Sequence, residues 1–196
     1  MKDKILKEFR ESIAVKEAFA EGHLDMIAEV ARAVAATFND GNKILLFGNG
    51  GSSTDASHIA AEFVNRFKRE RPGLPAIALN TDMAVITSIA NDYDFSDIFA
   101  RQVKALGVEG DMVFAISTSG NSPNVVKALD VAKKKKIKTV LLTGSRGDKL
   151  AAKATYAFVV PSDNTPRVQE THITLGHVLC LMVEEILFEV PRKKQS

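Results

Sequence analysis

Residues 43–63, KILLFGNGGSSTDASHIAAEF, change rhythm twice within one stretch. Ile44, Leu45, Leu46 and Phe47 form an unbroken apolar run, as a parallel strand buried on both faces requires. Gly48, Gly50 and Gly51 then allow a tight turn and close approach of the backbone. The residues that follow read as helix, with Ser52 or Ser53 as its cap. On that helix His58 and Glu62 stand four residues apart and share a face, and Arg66 extends the same stripe.

The strand–turn–helix rhythm repeats along the chain. AIALN (76–80), MVFAIS (112–117), TVLLTG (139–144) and YAFVVP (156–161) are further short apolar runs rich in β-branched or aromatic residues. Helical segments near 53–69, 83–106, 123–136 and 147–154 separate them. Five strands alternating with helices predict a five-stranded parallel sheet in a three-layer, flavodoxin-like α/β sandwich. Before it, residues 3–38 carry apolar residues at helical spacing. Gly22 is expected to break that run into two helices, and Asn39-Asp40-Gly41 to stop the second. Residues 166–189 read as a last long helix. The division expected is an N-terminal helical extension over 1–40, serving oligomerisation, and one catalytic domain over 41–196. The stripe on the extension suits packing on another subunit, and equally on its own domain.

Bulk composition narrows the function classes. With 196 residues, 45% hydrophobic and 26% charged, the chain suits one globular domain with a helical addition. A net charge of +2 singles out neither nucleic acid nor a membrane as partner. Lys133 to Lys136, with Lys138, have no aromatics between them and read as a solvated helix end. Cys180 is the single cysteine, so no intrachain disulfide forms, which fits a reducing compartment and a buried thiol. No apolar run approaches the roughly 18 residues of a membrane span, and the first residues lack a signal-peptide apolar block. The cytoplasm is the expected location.

In open parallel sheets, ligands sit beyond the carboxyl ends of the strands. Three such ends carry unusual chemistry. The glycine turn after the first strand is neither a Walker loop nor a full dinucleotide fingerprint, and alone it serves equally as a tight connection. After the third strand, STSGNSPN (117–124) sets Ser117, Thr118, Ser119 and Ser122 around Gly120 and Asn121. Pro123 suits the first helical position, with Ser122 as cap. A helix N-terminus lined with hydroxyls binds phosphate by geometry and dipole. With no lysine or arginine in the loop, a phosphate monoester fits better than a nucleoside triphosphate with magnesium. After the second strand, Asn80, Thr81 and Asp82 start a helix that Asn91 and Asp92 end, within reach of a sugar hydroxyl or simply as a turn.

A carboxylate and an imidazole beside a phosphate site suit proton transfer. The carboxylate takes a proton from carbon next to a carbonyl, and the imidazole moves one on the neighbouring oxygen. That is aldose–ketose isomerisation through an enediol. On the last helix Gln169 and His177 share a broad face, while His172 is turned away from His177. His58, Glu62, Gln169 and His177 are also a possible metal set, although an amide is a poor zinc ligand and a ligating Glu62 is a weaker base. Pattern alone leaves the His58–Glu62 pair open as a surface hydrogen bond.

Together, GNGGSSTDASHIAAEFVNRF (48–67), LNTDMAVITSIANDYDF (79–95), ISTSGNSPNV (116–125) and PSDNTPRVQETHITLGHVLC (161–180) resemble the sugar isomerase (SIS) family. The likeness runs from the N-terminal helices to about residue 189. It implies conversion of sedoheptulose 7-phosphate to D-glycero-D-manno-heptose 7-phosphate, the first step towards activated heptose for lipopolysaccharide core and related glycans. It implies a homotetramer with sites at subunit interfaces and one zinc per site. Carried over by position, Glu62 matches the family's base and His177 its acid, and His58, Glu62, Gln169 and His177 match its metal ligands. Asn49, Gly50, Gly51, Ser52, Glu62, Asn91, Asp92, Ser117, Thr118, Ser119, Ser122 and Gln169 match substrate contacts, with Arg66 added. Pro166 stands where some relatives carry an acid. RERPGLPAIALNTD (69–82) also resembles a SIS-type factor that binds the bacterial replication initiator, which is expected to lack the paired glutamate. A sugar-phosphate-sensing regulator would need a DNA-binding segment that this sequence does not show.

Overall fold

The computed structural model describes residues 1–188. The five apolar runs form five strands: β1 (Ile44–Gly48), β2 (Ala76–Ala78), β3 (Met112–Ser117), β4 (Lys138–Gly144) and β5 (Tyr156–Val160). All pair in parallel, in the order β2-β1-β3-β4-β5. The order reverses between β1 and β3, so the chain leaves these neighbours in opposite directions and opens a crevice beyond their carboxyl ends. The register sets Gly48 beside Ile116 and Ser117 beside Thr143, which brings the glycine turn and the serine-rich loop to one edge.

Successive residues of each strand face opposite ways, and both faces are covered. On one, Ile44, Leu46, Phe114 and Leu142 pack with α1 (Lys2–Asn39), α2 (Gly51–Val64) and α7 (Thr165–Phe188). On the other, Leu45, Phe47, Val113 and Leu141 pack with α3 (Met83–Asp92), α4 (Ile98–Leu106) and α5 (Pro123–Lys134). Phe47 stacks on Phe99 with ring centroids 4.8 Å apart, and both are fully buried. Burying each such side chain contributes about 1.5–3 kcal/mol. The three-layer α/β sandwich is thus as the apolar pattern predicts.

Several boundaries differ from that pattern. Gly22 does not break the N-terminal run: α1 is one helix of 38 residues. A single glycine costs a helix only about 1 kcal/mol, and α1 is held beyond it by Val30, Ala31, Val34 and Phe38 in the core. Asn39–Gly41 does end it, with Gly41 at φ +76°.

The helix after the glycine turn stops at Val64, not near 69. The backbone N–H groups of Phe67, Lys68 and Arg69 instead donate to the buried Glu184 carboxylate of α7 at 2.8–3.1 Å. The expected helix over 83–106 divides into α3 and α4, joined by a 3-10 turn at Phe95–Asp97 in which Asp94 accepts from the Ser96 N–H. Near 147–154 only α6 (Asp148–Ala151) is helical.

The expected last helix reached 189, one residue beyond those described. By length and composition α7 could cross a membrane. Its apolar side chains Val168, Leu175, Leu179 and Val183 lie in the core, as does Cys180. Burial pushes the Cys180 thiol up to about 12, so it stays protonated and inert. Lys133 and Lys134 occupy the last turn of α5, at the negative pole of its dipole.

Candidate active site

Gly50, at φ +57°, turns the chain from β1 into α2. It occupies the cap position itself, so neither Ser52 nor Ser53 caps the helix. Ser53 donates its hydroxyl back to the Gly50 carbonyl at 2.7 Å, and Ser52 is buried against Gly48. Gly51 faces the Gln169 amide so closely that a Cβ would overlap it. This contact seats the glycine turn on α7.

Two turns along α2, His58 Nε2 lies 3.1 Å from Glu62 Oε1. The same nitrogen lies 3.4 Å from His177 Nε2 on α7. The α2 carboxylate and the α7 imidazole therefore meet, and the three ligand atoms lie within 4.8 Å of one another. Phe67 stacks beneath His177 with centroids 5.6 Å apart. The His58 side chain is 49% exposed and that of Glu62 24%, so one face of the group is open. Two imidazole nitrogens and a carboxylate oxygen converge here, a donor set able to hold a metal ion. His172, by contrast, is fully buried and points to the Thr143 carbonyl.

At the end of β3, Gly120 (φ +67°) folds the serine-rich loop over the N-terminus of α5. Ser122 holds the cap position without capping, because its hydroxyl is 3.1 Å from that of Ser117. Ser119 is exposed, and Thr118 and Ser122 are half-buried, so these three residues stay open to solvent. Beside the loop opens a cavity of about 380 Å³ lined by Asn49, Asp94, Ser96, Ser122 and Asn124.

Asp82, at the start of the third expected site, caps α3 by accepting from the Val85 N–H at 3.0 Å. Asn91 donates to Asp92 at 2.8 Å at its end. Both are exposed there. Arg66 is exposed and lies 3.6 Å from Glu70. Pro166 is in the first turn of α7.

Asn124, Asp94 and Asp55 are three neighbours of this site that escaped the sequence reading. Asn49 and Asn124 exchange side-chain hydrogen bonds, each 2.9 Å, and so lock the glycine turn to the serine-rich loop. Asp94 is held below the usual carboxylate range by bonds from the Ser96 side chain and backbone. Asp55 stands one turn before His58. Burial raises its carboxyl, nearby His58 opposes the rise, and one of its oxygens is buried without a partner among the described residues. Its i, i+3 spacing from His58 is the signal that would have found it.

The fold and this site define a SIS-domain protein, and the SIS domain matches residues 9–144. A phosphoheptose isomerase from Thermodesulfovibrio yellowstonii is 65% identical over all of this chain and 98% of its own. A solved phosphoheptose isomerase from Francisella tularensis superposes with a TM-score of 0.89 at 40% identity, covering 93% of this chain and 97% of that one. One from Neisseria gonorrhoeae gives 0.88 at 37%, covering 94% and 98%. The chain belongs to the phosphoheptose isomerase family of sugar-phosphate isomerases.

Proposed function

We propose that this protein converts sedoheptulose 7-phosphate to D-glycero-D-manno-heptose 7-phosphate through an enediol. The observation that carries the reading is the meeting of Glu62 and His177, from α2 and α7, beside two loops at the switch point of the sheet. The hydroxyls of Ser117, Thr118, Ser119 and Ser122 and the N-terminus of α5 take the phosphate. Asn49, Gly50, Gly51 and Ser52 follow the sugar chain from one side, and Asn91, Asp92, Arg66 and Gln169 complete the contacts.

Glu62 removes a proton from C1 of the ketose, and the electron pair forms the enediol double bond between C1 and C2. His177 moves a proton from the C1 hydroxyl to the C2 oxygen. Glu62 returns its proton to C2, leaving an aldehyde at C1. No atoms are gained or lost.

His58, Glu62 and His177 fit one zinc ion per subunit, with Gln169 the fourth member of the set. When bound, such an ion polarises the substrate's oxygens. The three side chains also orient one another without it, at 3.1 and 3.4 Å.

The open face of the group suits a site closed by another subunit, so we assign a homotetramer that works in the cytoplasm and supplies heptose for glycan assembly. Incubating the purified protein with sedoheptulose 7-phosphate and recording ¹H NMR spectra tests the reading. Appearance of aldose anomeric signals supports it; an unchanged ketose spectrum, with and without added zinc, rules it out.

A further inference from the structure

His172 is a buried polar group that the proton-transfer chemistry leaves unused. It sits on α7 among core residues and has no exposed surface. Burial pushes its imidazole down to about 4, so the ring is neutral. Nε2 lies 3.4 Å from the Thr143 carbonyl. A carbonyl oxygen only accepts, so this nitrogen carries the hydrogen. Nδ1 is left without a partner among the described residues. An apolar side chain would fill the space without burying an unmatched acceptor. Among the described residues the ring makes one polar contact, to the Thr143 carbonyl.

That contact falls behind the serine-rich loop. Thr143 pairs with Ser117 across the β3–β4 ladder. The next residue, Gly144, donates its N–H to the Thr118 carbonyl at 3.1 Å. A Cβ on Gly144 would stand 2.8 Å from that same oxygen. At the far end of the turn, the Gly147 Cα leaves no room for a side chain on Gly120, and the Thr143 side chain leaves none on Gly147. Residues 144–147 are thus the back wall of the loop, and His172 ties that wall to the helix bearing Gln169 and His177.

We propose that His172 is a positioning residue: through the Thr143 carbonyl and the Gly144–Thr118 hydrogen bond it fixes the phosphate-binding loop against α7. This rests on the phosphate reading of the loop given above. His172 touches no reacting atom, so its loss weakens the grip on phosphate and leaves the chemical step intact.

The test compares His172→Leu, His172→Gln and Gly147→Ala, using sedoheptulose 7-phosphate as substrate and inorganic phosphate as competing inhibitor. His172→Leu is expected to raise both KM and the phosphate Ki about five- to tenfold, with kcat within about twofold of wild type. Gln places an amide N–H near the position of Nε2, so His172→Gln should recover most of the loss. Gly147→Ala drives a methyl into the Thr143 side chain and should raise the same two constants with His172 in place.

Unchanged KM and Ki in His172→Leu would overturn the proposal. So would a fall in kcat at constant KM, or a Gln variant no better than Leu. If His172→Leu does not fold, Gly147→Ala decides, and unchanged constants there overturn it. Wild-type protein that turns over substrate but is not inhibited by phosphate would overturn the loop assignment itself, a failure visible without any variant.

Discussion

At the level of single residues, His177 is proposed to carry two duties, proton transfer and metal retention. His177→Ala removes the nitrogen that faces His58 at 3.4 Å. The expected loss in kcat is about 10²- to 10⁴-fold, with less zinc retained after dialysis, as elemental analysis of the purified variant would read. Unchanged zinc content would take His177 out of the ligand set. The His58–Glu62 pair was legible because its i, i+4 spacing directly behind a glycine turn is unusual, whereas His177 shared only a helix face with Gln169 and was singled out by the family resemblance. Asn124 was not, since an asparagine at a helix start has many ordinary uses. Its partner Asn49 lies 75 residues away and becomes its neighbour only once β1 and β3 pair.

At the level of elements, α7 is the beam of the molecule. Near its end the Glu184 carboxylate, wholly buried, takes Arg71 Nε at 2.9 Å and three backbone N–H groups from residues 67–69. This explains why α2 stops at Val64: a residue more than a hundred positions later captures the donors that a longer helix would have used. Local pattern holds no trace of such a partner, and the same reason hid the early end of the helix over 53–69. Burial alone would raise the Glu184 carboxyl, but the backbone donors and Arg71 outweigh it and hold it below 4.5.

Two steps of acid destabilisation follow from α7. The neutral His172 contributes stability in full above pH 6.5, and this is lost as pH falls towards its folded value of about 4. The Glu184 carboxylate contributes above about pH 4.5, and this is lost as pH falls through its lowered folded value. Thermal melts against pH should show His172→Gln flattening the first step. Glu184→Gln should flatten the second, at a cost of about 3–5 kcal/mol at neutral pH from the stranded Arg71. An unaltered slope between pH 6.5 and 4 in His172→Gln would contradict the buried neutral imidazole.

At the level of the whole molecule, the first half of α1 stands out from the core. Ile5, Phe9 and Ile13 are 52%, 67% and 54% exposed. The same stretch is tied down on its other side, where Arg167 donates to the Glu8 carbonyl at 2.6 Å and Asn164 to Glu11 at 2.9 Å. A fixed helix presenting an apolar stripe fits a subunit contact. If the protein is the homotetramer proposed above, its mass by light scattering is four times the 21.3 kDa chain, and Phe9→Glu combined with Ile13→Glu gives a smaller species. A wild-type monomer would remove the interface that is proposed to close the site. The sequence showed this stripe but left its partner open, because periodicity reports that a face is apolar and not what covers it.

In the proposed reaction the Glu62 carboxylate moves the carbon-bound proton. The most direct test of this is a ¹H NMR time course of sedoheptulose 7-phosphate with wild-type protein and with Glu62→Gln, paired with a binding titration of the variant. Wild type is expected to form aldose, and Glu62→Gln to bind the ketose tightly but form no measurable aldose; turnover by Glu62→Gln near the wild-type rate would remove Glu62 as the base.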